Sequence, residues 1–84
     1  MSPLKKIREK MGWTKKNLAD LLGNRSRVIG RIEGGRMRIP DKFYAPLRTL
    51  GVDPFQLAVE QEEFIQWRRK FYSDLRWGLL PSTI

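Results

Sequence analysis

The stretch that decides the fold is residues 14–33, TKKNLADLLGNRSRVIGRIE. Apolar residues recur in it at helical spacing, with Leu18 and Leu22 before a central Gly-Asn pair and Ile29 and Ile32 after it. Glycine and asparagine both tolerate positive φ, so the pair is suited to a tight turn. We therefore predict two short helices joined by that turn.

The second of these helices, predicted over residues 26–33, is short and basic, with Arg27 and Arg31 inside it and Arg25 just before it. A small basic helix braced by another across a glycine-containing turn is the arrangement of a helix-turn-helix that reads DNA. Gly30 disagrees with this local pattern, because glycine inside a helix costs about 1 kcal/mol relative to alanine. Either it allows close approach of a DNA backbone or a neighbouring helix, or it is simply tolerated.

The positive charge of the chain is confined to the half that contains this stretch. Residues 1–38 hold eleven Lys and Arg against three acidic residues, whereas residues 39–84 hold six of each. The net charge of +8 therefore belongs wholly to the first half. A solvated basic surface would explain the sign of the charge but not its confinement, which favours a face that binds a polyanion.

The composition excludes several classes of protein. The chain of 84 residues fits one small domain, and it contains neither Cys nor His. It therefore lacks disulfides, the commonest metal ligands and the usual general base, and we expect no metal, cofactor, small-molecule substrate or enzymatic activity. No apolar run is long enough to span a membrane and the N-terminus does not read as a signal peptide, so we expect a soluble, cytoplasmic protein.

Capping residues divide the rest of the chain into helices. Ser2-Pro3 opens a first helix that Gly12 ends, and Thr14 caps the second. We expect Trp13 to anchor the core. A fourth helix follows Gly34-Gly35 and the basic loop at 36–38, but its Pro46 predicts either a kink or a start near residue 45.

The last helix is predicted to open at Asp53-Pro54 and to stop at Gly78. It is either one long rod or two helices that divide near residues 59–63, because acidic residues there precede basic ones in an order that suits a separate helix. Its apolar residues exceed what one solvated helix face should carry, and they are Phe64, Trp67, Phe71, Tyr72 and Leu75. They serve either the protein's own core or an interface with a second copy or another protein, and dimerisation is slightly favoured.

Residues 4–57 resemble the lambda-repressor/Cro-like family of helix-turn-helix regulators, often called Xre-type. The matching positions fall in register without a gap and include Ile7-Arg8, Gly12-Trp13-Thr14, Leu18-Ala19, Gly23, Ile29, Ile32-Glu33 and Gly35. A later match is Leu50-Gly51-Val52. The resemblance implies an all-α, compact bundle of four or five helices from a phage or bacterium, with residues 1–57 binding DNA. Residues 58–84 would then form a helical extension for dimerisation or packing.

The resemblance also implies roles for single residues. Arg8 would pair with Glu33 and brace the first helix against the third. The positions that face the major groove are held by Arg25, Ser26, Arg27 and Arg31. Those that match or neighbour phosphate-contacting positions are Lys15, Lys16, Asn17, Arg36 and Arg38. Arg25 replaces the usual capping hydroxyl, so Asn24 is a candidate cap that would start the helix one residue early.

These observations predict a sequence-specific transcriptional regulator, a Cro-like repressor or autoregulator that binds operator DNA as a homodimer. The alternative is a protein-interaction module, such as an antitoxin or adaptor, whose aromatic C-terminal helix binds a partner protein.

Overall fold

A computed structural model describes the backbone of residues 2–76 and the side chains of residues 2–75. Within that range the chain is all-helical. The helices are α1 (Pro3–Lys10), α2 (Lys15–Leu22), α3 (Ser26–Glu33), α4 (Tyr44–Arg48) and α5 (Pro54–Arg76), and a 3₁₀ turn at Asp41–Phe43 precedes α4. The predicted all-α bundle of four or five helices with a C-terminal helical extension is confirmed, and the described residues contain five α-helices.

Side-chain caps fix where α1 and α2 begin. The Ser2 hydroxyl accepts a hydrogen bond from the Lys5 amide, with Pro3 in the first helical position. Thr14 and Asn17 cap α2 reciprocally, since each side chain accepts from the other residue's amide, at 3.1 and 3.0 Å. Gly12 and Gly23 end these two helices with φ of 72° and 65°, as the sequence predicted.

The core lies where α2 and α3 pack together and meet α1, α4 and α5. Trp13 is partly buried against this core, in agreement with the prediction that it is an anchor. The fully buried large apolar side chains come from all five helices and the 3₁₀ turn, and they are Leu4, Leu18, Ile29, Ile32, Phe43, Leu47 and Leu57.

Two open questions about helix boundaries are answered. Pro46 is the third residue of α4, in the first turn, where its missing N–H is no loss, and the helix begins at Tyr44 after the 3₁₀ turn. The last helix runs unbroken from Pro54, so the alternative of a break near residues 59–63 is wrong. The predicted stop at Gly78 lies outside the described residues.

α5 belongs to the bundle for its first half. Leu57, Gln61 and Ile65, one helical turn apart, are buried against α1, α4 and the end of α3. The helix crosses the predicted boundary at residues 57/58 without interruption. Among residues 2–76, no helix has the combination of length and apolar character that crossing a bilayer requires.

Candidate nucleic-acid interface

One face of α3 is basic and exposed. Arg27, Gly30, Arg31 and Gly34 fall at helical spacing on that face, and both arginine side chains are exposed. The opposite face carries Ile29 and Ile32, which are fully buried, so the arginines cannot turn inward. The exposed stripe of α3 borders an open concavity of about 420 Å³, lined by these four residues and Arg36.

The start of α3 corrects one expectation. Arg25 is the residue that precedes the first helical turn, and it makes no side-chain capping hydrogen bond. The Asn24 side chain accepts from the Arg25 amide at 2.8 Å, so Asn24 does not cap the helix and α3 does not start early. Arg25 and Ser26 are both exposed. They lie at the N-terminal end of α3, next to the turn that joins α2 to α3.

The first turn of α2 lies beside this face of α3. Lys15, Lys16 and Asn17 are exposed there. The Lys15 ammonium lies 3.9 Å from the position that a Cβ at Gly30 would occupy, so α2 adds a cation to the exposed stripe of α3. The Asn17 carboxamide oxygen is engaged in the cap of α2. Any contact that Asn17 makes with DNA must therefore be compatible with that bond.

The basic loop at residues 36–38 divides its two arginines between two surfaces. Arg36 lines the concavity beside α3. Arg38 instead pairs with Glu62 of α5, at 3.0 Å from Nε to Oε2 and 3.4 Å from Nη2 to Oε1. The Arg38 side chain is 80% exposed, so this pair is solvated and a phosphate can compete for the guanidinium.

Glu62 is held as an anion in this pair. The hydrogen bond from Gln66 and then the one from Arg38 lower the pKa of its carboxyl below the ordinary value. These hydrogen bonds favour the ionised carboxylate, so α5 contacts the basic loop by a charge as well as by packing.

Gln61 makes a structural contact that the sequence interpretation missed. Its side-chain amide donates to the carbonyl oxygens of Ile32 and Met37, at 3.0 Å each, and the residue is 1% exposed. It therefore joins the last turn of α3 and the basic loop to α5. Its Oε1 has no hydrogen-bond partner among the described residues. The sequence could have revealed Gln61 by its position, because it lies between Leu57 and Ile65 on the buried stripe of α5, where an apolar residue is expected.

The structure brings Arg8 and Glu33 together. The guanidinium forms a fork on the carboxylate, with Nε–Oε2 at 2.8 Å and Nη2–Oε1 at 3.0 Å, and its Nη1 donates to the Trp13 carbonyl. The hydrogen bond to Glu33 is the largest cause of the raised pKa of Arg8. The pair fixes the last residue of α3 to α1, which makes it structural.

The aromatic stripe on α5, defined as Phe64, Trp67, Phe71, Tyr72 and Leu75, lies mostly further along the helix than the buried residues Leu57, Gln61 and Ile65. Trp67 stacks between Phe64 and Phe71, with ring centroids 6.0 and 5.5 Å away. Only Phe64 is partly buried, and Trp67 is 59% exposed. The last turns of α5 therefore present aromatic rings to solvent.

A helix-turn-helix family model matches residues 4–45, half of the chain, from α1 to the start of α4. The chain belongs to the Cro-like, Xre-type helix-turn-helix family. It is therefore a DNA-binding regulator in the general sense of that family. Comparisons with curated proteins and with solved structures found no match.

Within the segment that matches the helix-turn-helix family, α2 is the first helix of the motif and α3 is the second. The matched segment ends before α5. Among residues 2–76, no cluster of acidic side chains is suited to holding a metal ion.

Proposed function

We propose that this helix-turn-helix protein is a sequence-specific transcription regulator, a Cro-like repressor or autoregulator, that inserts α3 into the major groove of an operator. The proposal includes action as a homodimer in the cytoplasm of a bacterial or phage-infected cell. Arg25, Ser26, Arg27 and Arg31 would contact base edges, since arginine pairs bidentately with guanine O6 and N7.

The observation that carries the proposal is the exposed stripe of α3. Two arginines stand one turn apart on it, and the residues that line its concavity include no acidic side chain. The helix is held rigidly behind that stripe by its buried isoleucines, by Glu33 and by Gln61. A basic side-chain pair on a fixed helix suits base readout, because the helix holds their Cα positions in one geometry relative to the groove.

Phosphate contacts in this proposal come from both sides of α3. Lys15, Lys16 and Asn17 lie at the start of α2, and Arg36 lies beyond the end of α3. The N-terminus of α2 adds a partial positive charge of its own, which favours an anion there. Arg38 joins these contacts only if DNA displaces Glu62 from it.

The homodimer is proposed from the aromatic stripe on α5. Stacking within one monomer leaves much of the apolar surface of Trp67, Phe71 and Tyr72 in water, whereas burial against a second copy would remove it from water. A second candidate function rests on the same observation, namely that the stripe binds a different protein, as in an antitoxin or adaptor.

Selection of bound duplexes from a random library tests the proposal. We expect an enriched motif that contains guanine, present as two half-sites about 10 bp apart if the protein binds as a dimer. Arg27→Ala and Arg31→Ala should each cost about 1–3 kcal/mol on the selected site and relax its base preference.

Lys6→Ala is the matched control for these variants. It also removes one positive charge, but Lys6 lies in a groove between α1 and α5, two residues from Arg8 and therefore on the other side of α1. We expect Lys6→Ala to leave base preference unchanged. Failure of the wild-type protein to enrich any motif would refute sequence-specific regulation.

A further inference from the structure

Gly30 has no structural reason to be glycine. Its φ is not positive, in contrast to Gly12, Gly23, Gly35 and Gly51. A Cβ built on it would meet one atom within 4 Å, the Lys15 Nζ at 3.9 Å, which is ordinary contact with a flexible side chain. Neither the backbone nor a neighbouring helix therefore requires glycine here, although glycine is among the least favourable residues inside a helix.

The space above Gly30 is ringed by cations. The concavity is lined by three arginines, Arg27, Arg31 and Arg36, and by the main chain of Gly30 and Gly34. The Lys15 ammonium lies close to Gly30 from the side of α2. The floor is therefore bare main chain and the rim carries four positive charges. Guanidinium and ammonium groups converge in this way on phosphate oxygens, which accept charge-assisted hydrogen bonds from several donors at once.

We propose that Gly30 is a close-approach position, at which the sugar–phosphate backbone of the bound DNA lies directly against the main chain of α3. The missing side chain leaves room for one phosphate group within reach of Lys15 and Arg36. A methyl group there would hold the strand away from those cations. The inference rests on the proposed function, because it concerns the same face of α3.

The test compares Gly30→Ala and Gly30→Ser with the wild-type protein on the duplex obtained by selection. We expect both variants to fold, and Gly30→Ala to raise the Tm by about 4–8 °C because alanine favours the helix. We expect both to weaken binding by about tenfold, the loss typical of inserting a group into a filled contact.

A scan of the duplex with neutral methylphosphonates identifies the phosphate involved. One substitution should weaken binding of the wild-type protein markedly and that of Gly30→Ala much less, because the variant has already lost that contact. Phosphates elsewhere on the duplex should have equal effects on the two proteins. Equal effects at every phosphate would overturn the assignment of a phosphate to Gly30.

Ser73→Ala on α5 is the matched control, because it also places alanine at an exposed helical position but lies far along the chain from α3. It should leave DNA affinity unchanged. The inference is overturned if Gly30→Ala binds DNA as tightly as the wild-type protein, or if Gly30→Ala lowers the Tm, which would reveal a packing reason for glycine. Failure of the wild-type protein to bind any selected duplex is a different result, since it refutes the proposed function itself.

Discussion

At the scale of single residues, the strongest polar interaction is the fork between Arg8 and Glu33. Both side chains are largely removed from solvent, with 13% and 5% of their surface exposed. Removing one partner leaves a charge buried without compensation, so Arg8→Ala or Glu33→Ala should lower the free energy of unfolding by about 3–5 kcal/mol. Urea denaturation followed by circular dichroism measures the change.

The pair between Lys5 and Glu9 supplies the control for that measurement. It is also an ion pair on α1, but its atoms are 3.8 Å apart and its side chains are 43% and 49% exposed. Glu9→Ala should therefore change stability by no more than about 0.5 kcal/mol. Equal losses in Glu9→Ala and Glu33→Ala would contradict the structural role assigned to the fork.

The sequence predicts the structural role of a residue well when that role depends only on neighbours in the chain. Thr14 and Gly23 act through their own backbone and the next turn, so their roles follow from residue type and spacing. Gln61 could not be predicted in this way, because its two acceptors are 29 and 24 residues away. The choice between Asn24 and Arg25 at the start of α3 likewise depends on how tightly the turn closes, which residue type alone does not determine.

At the scale of elements, the loop between α3 and α4 is held against α5 by Gly35. This residue has a φ of +72°, and a Cβ on it would lie 2.9 Å from Arg68 Cδ and 3.0 Å from Phe64 Cε2. Both the backbone conformation and the space therefore require glycine. Together with Gln61 and the Arg38–Glu62 pair, this contact positions the basic loop from α5.

A pair of glycine substitutions separates packing from backbone strain. Gly51 also has positive φ, 83°, but nothing lies within 4 Å of its Cβ position. Gly51→Ala should lower the free energy of unfolding only by the backbone strain, about 1–2 kcal/mol. Gly35→Ala should lower it by about 1–3 kcal/mol more, because Phe64 and Arg68 must move. Chemical denaturation measures both, and equal costs would show that α5 does not press on the loop.

Helix boundaries show where element-level prediction reaches its limit. The chemistry of Pro46 predicted either a kink or a helix start near residue 45, and α4 begins at Tyr44, one residue before the second of these. The acidic run near residue 60 favoured a break because those charges would suit a new helix start. It lies inside one helix because no glycine, proline or capping residue interrupts that stretch, and because Glu62 is used by Arg38 and Gln66.

At the scale of the whole molecule, the proposed DNA-binding face lies on α3 and the aromatic stripe lies on α5, and the basic loop that follows α3 is bound to α5 by side-chain hydrogen bonds. The first half of the chain carries all the excess positive charge, and the neutral second half contains α5. Dimerisation through α5 would therefore bring two copies together without apposing their most basic segments. The same helix holds the basic loop, so α5 would both pair the copies and position their phosphate contacts.

Trp67→Ser tests this arrangement in the intact chain. Trp67 is the central ring of the stripe and is 59% exposed, so its loss should leave the fold intact but remove a large aromatic ring from the centre of the surface offered to a second copy. Sedimentation equilibrium should show a dimer for the wild-type protein and a monomer for Trp67→Ser. The variant should also bind a two-half-site duplex much more weakly while keeping its affinity for one half-site, because the second contact is no longer tethered to the first.

Phe55→Ser is the matched control for that experiment. Phe55 is more exposed than Trp67, at 77%, but it lies twelve residues earlier on α5 and off the stripe. The Phe55→Ser protein should therefore remain dimeric. A wild-type protein that is monomeric at high concentration, with or without DNA, would refute the homodimer. The stripe would then be free for a different protein, and the interaction module would become the better account of α5 while base reading by α3 remained intact.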